Sequence, residues 1–202
     1  MELHGIDFSE AELAAANLRL RGAASLICAD ARRLPLESAS IDVVVSHMAM
    51  MLMDEMPTVI REIRRVLRRD GRICAVVGRP RQGKDRDAVF PLIEAALAEA
   101  NVLQAVPWGD RRMMSPEGIA ELLQDQFEGL WFRNLECPMR LDPGAYWENL
   151  QATYSVDILP PSLQAELRVR VLHAIAPLIE QDGRVPTSFA VRFFVASVSG
   201  AG

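Results

Sequence analysis

The segment Ile41-Asp42-Val43-Val44-Val45 constrains the fold most. It is β-branched and does not alternate apolar with polar residues, a pattern that suits a strand covered on both faces in a parallel sheet. Ile73 to Val77 repeats the pattern. Between the two, Asp54 to Leu67 has helical periodicity, with Val59, Ile63, Val66 and Leu67 on one side. Arg61, Arg64, Arg65 and Arg68 occupy much of the rest of that helix, and Asp70-Gly71 predicts a turn. Strand, helix and strand joined by short links define an α/β arrangement.

The flanking sequence continues the alternation. Leu3 to Phe8 reads as a strand, followed by Ser9 and Glu12 at capping-box spacing. Ala11 to Leu20 is rich in helix formers, Gly22 is a stop, and Ser25 to Ala29 is a second apolar run. Arg32 to Ser40 is a polar loop containing Pro35. Further on, Ala88 to Ala100 predicts a helix, and Ser115-Pro116-Glu117 a helix start. Leu130 to Leu141 predicts a strand, and Asp142-Pro143 caps a short helix running to Leu150. Leu163, Leu167, Val171, Ile175 and Leu178 form a long stripe capped by Ser162 and ended by Asp182-Gly183. Ser188 to Ser197 predicts the last strand. No repeat or linker divides the chain, so residues 1–202 are expected to form a single domain.

Composition narrows the function. Half of the 202 residues are hydrophobic and 24% are charged, which is globular and excludes a disordered or collagen-like chain. The net charge of −5 argues against a general nucleic-acid binder. No apolar run approaches the roughly 20 residues of a membrane span. Cys28, Cys74 and Cys137 lack metal-ligand spacing, so buried free thiols in a reducing, cytoplasmic setting are expected and no metal site is. Met1-Glu2 shows no signal-peptide character.

Ligands of open parallel sheets bind beyond the carboxyl ends of the strands. Those ends carry Asp7, then Asp30 in Cys28-Ala29-Asp30-Ala31, then Ser46-His47, then Gly78-Arg79-Pro80. A carboxylate only accepts hydrogen bonds, so it matches a ribose diol that donates twice. Asp7 has that placement. Asp30 could accept from an adenine amine while the Ala31 amide donates to the ring.

Four blocks stand in order: Gly5-Ile6-Asp7-Phe8-Ser9; Ala29-Asp30-Ala31 with Leu34-Pro35-Leu36; Ser40 to Ser46; and Glu62-Ile63, Val66-Leu67 with Asp70-Gly71-Arg72. Together they resemble the class I S-adenosylmethionine-dependent methyltransferases that act on small molecules. The resemblance implies a Rossmann-like, mostly parallel sheet of about seven strands, ordered three-two-one-four-five-seven-six and ending in an antiparallel hairpin. It implies that Asp7 holds the cofactor ribose, Asp30 and Ala31 the adenine, and Phe8 the adenine face. Ser46 and His47 would lie near the methionine end. Residues 1–80 would be the cofactor half and 81–202 the substrate side.

The family's first strand and glycine-rich loop have no counterpart in this sequence, which begins on the second strand. Three expectations follow. The chain is truncated or its start is assigned late; a partner chain or a second copy completes the sheet; or the protein is a methyltransferase-like binding or scaffolding protein. The last includes direct pairing of the two strands flanking the gap. A nicotinamide-dependent Rossmann enzyme fits Asp7 but lacks its own glycine motif as well.

Other residues carry plainer readings. His47 is a general-base candidate, but a packing role suits it better. His4 and His173 receive no role. Met48, Met50, Met51, Met53 and Met56 read as core packing, or else as an adaptable pocket wall. Tyr146, Trp147 and Tyr154 could line a lid. The Arg61 to Arg72 cluster reads as a solvated helix face.

Overall fold

The computed structural model describes residues 2–80, 82–102, 105–106 and 108–200. Arg81, the expected boundary between the two halves, lies outside them. The chain divides into two compact units, one of residues 1–76, 110–132 and 194–202, the other of 77–109 and 133–193.

The first unit opens with β1 (His4–Asp7), α1 (Glu10–Leu20) and β2 (Ser25–Cys28), in which β1 and β2 pair in parallel as a two-stranded sheet. The Ser9 hydroxyl caps α1 by accepting the Glu12 amide, as the capping spacing predicts. Arg21 ends the helix in the left-handed region, and Gly22 follows at φ +82°.

A second sheet has the order β3-β4-β6-β5, formed by β3 (Ile41–His47), β4 (Leu67–Gly78), β5 (Phe127–Leu141) and β6 (Val185–Val198). β3 and β4 are parallel. The Ser199 amide just past β6 donates to the Gln126 carbonyl just before β5. That bond sets the end of β6 beside the start of β5, so the two neighbours run antiparallel, but residues 142–184 lie between them and they are not the hairpin expected. The observed order is the one the resemblance implies, except that no strand joins β1 to β3 among the described residues.

Between β3 and β4 runs α2 (Met56–Val66). Met56, Val59, Ile60, Ile63 and Val66 recur at helical spacing and are all buried. Each fully buried aliphatic side chain contributes about 1.5–3 kcal/mol. Within the same unit α2 packs on α4 (Pro116–Leu123), whose Ser115 cap accepts the Gly118 amide. Phe127, Phe194, Ala196 and Val198 are buried in this unit too.

The second unit is built on α3 (Lys84–Glu99), α5 (Pro143–Gln151), α6 (Tyr154–Asp157) and α7 (Pro161–Ile175). Leu97, Tyr146, Trp147, Leu167, Val171 and Ile175 are among its buried residues.

Several local expectations need correction. Asp70-Gly71 is not a turn between helix and strand. β4 already begins at Leu67, and the excess residues are taken up as an irregularity opposite Ile41 to Val43. Gly71 is needed there, because a Cβ would lie 2.9 Å from the Arg68 carbonyl oxygen. α7 starts at Pro161, with no side-chain cap from Ser162, because proline at the first position needs no amide partner. Cys28 and Cys137 are exposed and Cys74 is half-buried, so the thiols are free but not in the core. β3 is not covered on both faces: Val43 is 49% exposed and Val45 75%.

Candidate functional site

The two-stranded sheet sets the first part of the site. In the parallel register Asp7 lies opposite Cys28, so the chain leaves both strands at the same edge. The Ala29 amide donates to the Asp7 carbonyl at 3.0 Å and fastens that edge. Asp7 Oδ1 accepts the Ser9 amide at 2.8 Å. This turn is fixed by the sequence Asp-Phe-Ser, because a short carboxylate reaches the amide two residues on. It holds the carboxylate at the strand end.

Phe8, next in sequence, is 83% exposed, with its ring open to solvent. Its carbonyl lies 3.5 Å from Cys28 Sγ.

Asp30 stands two residues beyond β2, but its carboxylate is engaged. It accepts the Arg32 amide at 2.8 Å, Arg32 Nε at 2.9 Å and Arg32 Nη2 at 2.6 Å. Those side-chain bonds hold the Asp30 carboxyl below its ordinary value. Arg32 Nη1 continues to Glu55 Oε1 at 2.5 Å. Both acids push the guanidinium pKa up. Ala31 sits half-buried between the members of this pair.

Ser46 and His47 end β3, opposite Ala75 and Val76 of β4. Ser46 is half-buried and His47 exposed. Met48 follows in the left-handed region at φ +57°, and its amide donates to the Val76 carbonyl. Asp7, Phe8, Asp30 and Ala31 are thus gathered at one strand edge. Ser46 and His47 occupy the carboxyl end of a different sheet in the same unit.

Sequence reasoning missed two groups. Arg32 and Glu55 tie the Asp30 loop to the residue before α2, and the only signal was an arginine two residues after an aspartate. Arg65 is the larger omission. Its guanidinium donates to the Leu34 and Leu36 carbonyls and to Glu62, each at 2.8 Å. Glu62 in turn accepts the Leu34 amide at 2.8 Å. That pair anchors the polar loop, so this arginine is no part of a solvated face. The Met cluster contributes Met50 and Met56 to the core, and Met48, Met51 and Met53 are half-buried. Tyr146 and Trp147 are buried, whereas Tyr154 is exposed.

Residues 1–75 match the family model described as a methyltransferase domain. No curated protein matches the chain. Among solved structures, YcgJ of Bacillus subtilis is 16% identical with a TM-score of 0.61, over 100% of this chain and 83% of that one. The MccD protein is 19% identical with a TM-score of 0.59, over 98% of this chain and 80% of that one. A phosphoethanolamine N-methyltransferase of Haemonchus contortus, solved with S-adenosylhomocysteine and phosphomonomethylethanolamine, is 17% identical. Its TM-score is 0.54, over 97% of this chain and 43% of that one. The first 75 residues therefore carry the sequence pattern of the methyltransferase domain. The chain has the α/β, Rossmann-like fold of these structures.

Among the described residues no helix is long and apolar enough to cross a membrane, and no cluster of His, Cys, Asp and Glu could hold a metal ion.

Proposed function

We propose that this protein transfers a methyl group from S-adenosylmethionine to a small-molecule acceptor. The observation that carries the reading is the placement of Asp7. It ends a strand of a parallel pair, within the segment that matches the methyltransferase domain, and only its Oδ1 is used by the turn that holds it. Oδ2 is left to accept from a ribose diol. Phe8 offers an open aromatic face for a purine. The fit at Asp30 is looser, because an adenine amine must share that carboxylate with Arg32.

When bound, the cofactor would supply a methyl group on a positively charged sulfur that departs as a neutral thioether. The task left to the chain is therefore to bind, align and exclude water. Asp7 would orient the ribose and so set the direction of the methyl group. Ser46 and His47 would line the opposite part of the site. His47 is the general-base candidate for an acceptor that must lose a proton. Three free thiols suit a reducing, cytoplasmic compartment.

A second reading is a methyltransferase-like binding protein. It is favoured by the absence of any fully buried residue among residues 2–49. Calorimetry with S-adenosylmethionine separates the two. The enzyme reading expects binding, and expects Asp7→Ala to weaken it about 5- to 150-fold, the usual 1–3 kcal/mol for hydrogen bonds to a charged group. No binding of the cofactor at millimolar concentration would rule out catalysis by this chain alone.

A further inference from the structure

Gly78-Arg79-Pro80 closes the carboxyl end of β4, and the proposed reaction leaves Arg79 without a task. Arg79 is the first residue past the strand, at the edge where open parallel sheets take their ligands. Its amide donates to the Ala190 carbonyl of β6 at 3.2 Å, so the backbone still runs beside β6 there. The side chain crosses β6 to β5, the next strand of the sheet, where Nη2 donates to Glu136 Oε2 at 2.7 Å. The Ser188 hydroxyl donates to the other oxygen, Oε1, at 2.8 Å and steadies that carboxylate. All of these residues belong to the second unit.

The rest of the guanidinium is poorly served. Nη1 has only the Pro80 carbonyl at 3.4 Å, and Nε is enclosed with no hydrogen-bond partner among the described residues. The side chain as a whole is 20% exposed. An enclosed donor without an acceptor costs more than one partly exposed ion pair returns. Methionine or leucine would cover β6 without that cost, so packing does not account for an arginine here. Orphaned donors call for a partner, and at a strand edge that takes ligands the partner can be a ligand. Guanidinium is a delocalised cation with donors only, which matches an acceptor-only anion carrying more than one oxygen. A neutral hydroxyl or amide would take one bond and gain nothing from the charge.

We infer that Arg79 binds an oxyanion, and that this oxyanion is a carboxylate or phosphate group of the methyl acceptor. Because Nε is enclosed, the arriving anion draws the guanidinium outward from the exposed part of the side chain, and Nε gains its acceptor in the bound state. The identity of the ligand as the acceptor rests on the methyl-transfer reading, whereas oxyanion binding at Arg79 does not.

The test is proton–nitrogen NMR of the arginine Nε–H groups in the full chain, titrated separately with inorganic phosphate and with acetate at constant pH and ionic strength. Arg79→Lys assigns the Arg79 signal by its loss. At millimolar anion that signal should shift saturably and exchange more slowly with water, with phosphate or with acetate according to the group the acceptor carries. Arg79→Lys keeps the charge but not the fork, and should weaken binding, read at the Ser188 and Phe189 amides, about tenfold. Glu136→Gln keeps an oxygen for Arg79, removes the competing charge and should tighten binding severalfold. The Arg192 Nε–H signal, held by Asn134 at 3.1 Å, reports that both variants fold. No shift at Arg79 with either anion, equal affinity in Arg79→Lys, or looser binding in Glu136→Gln would overturn the inference. Repeating the titration with S-adenosylmethionine separates the two claims. Cofactor binding without an anion at Arg79 overturns the site and leaves methyl transfer standing. An anion at Arg79 in a chain that never binds the cofactor upholds the site and overturns its assignment to a methyl acceptor.

Discussion

Residues 2–49 and residues 50–198 share an alphabet but not a fate. The amino-terminal stretch contains three strands, one of them rich in β-branched residues, and an Ala/Leu-rich helix, yet not one of its residues is fully buried. Leu18 of α1 is 80% exposed. Among the described residues, every buried hydrophobic side chain lies in the later stretch, from Met50 to Val198. The contrast shows that an apolar pattern specifies an element without guaranteeing its cover. β1, α1 and β2 form from local rules, namely the Ser9 cap, helix propensity and parallel pairing. On β3, by contrast, Val43 and Val45 stay exposed although their sequence calls for cover.

The largest expected break in that contrast comes from a matched pair of truncations. Phe194→Ala empties a fully buried site and should cost about 3–5 kcal/mol in denaturant unfolding, against within about 0.5 kcal/mol for Val45→Thr. Comparable losses at both sites would mean β3 is covered in solution.

Next comes the buried polar contact of the later region. Asp85 is 3% exposed and accepts the Tyr146 hydroxyl at 3.1 Å and the Thr187 hydroxyl at 2.7 Å. Tyr146→Phe removes one donor to a buried carboxylate and should cost about 1–3 kcal/mol by thermal unfolding. A neutral result would show that water replaces the hydroxyl.

A pH titration sharpens the seam between the regions. Arg65 holds the Glu62 carboxyl below its usual value, with the Leu34 amide adding to the effect. A carboxyl lowered in the folded state stabilises above its unfolded value, so this contribution is complete above about pH 4.5 and fades as pH falls through the folded value. Limited proteolysis of the loop 32–40 should accelerate in that acid range. Glu62→Gln should make cleavage faster at neutral pH and flatten the dependence. The smallest effect is expected at the amino-terminal helix, where Ser9→Ala should lower local protection of α1 by about 1 kcal/mol, with little change in global unfolding.

Much of this was legible in the sequence because the signals are local. Ser9, Ser115 and Asp142 cap the helices their spacing announced, and the accepted amides belong to Glu12, Gly118 and Ala145. The β-branched runs became β3 and β4. What failed was everything set by neighbours distant in sequence. The exposure of Val43 and Val45 depends on which strands adjoin β3, and a segment's composition cannot report a missing neighbour. Arg65 looked like part of a charged helix face. Its role depends on a loop roughly thirty residues earlier folding back onto it. At the candidate site, strand ends predicted where Asp7 and Asp30 would stand, but not that Arg32 would already hold Asp30.

The most direct measurement is amide exchange across the whole chain with and without saturating S-adenosylmethionine. The account predicts slowed exchange at residues 7–9, 30–32 and 46–48, with the core helices α2 and α7 unchanged. No change at those three segments, or protection confined to the second unit, would contradict the claim that the edge marked by Asp7 is where the cofactor binds.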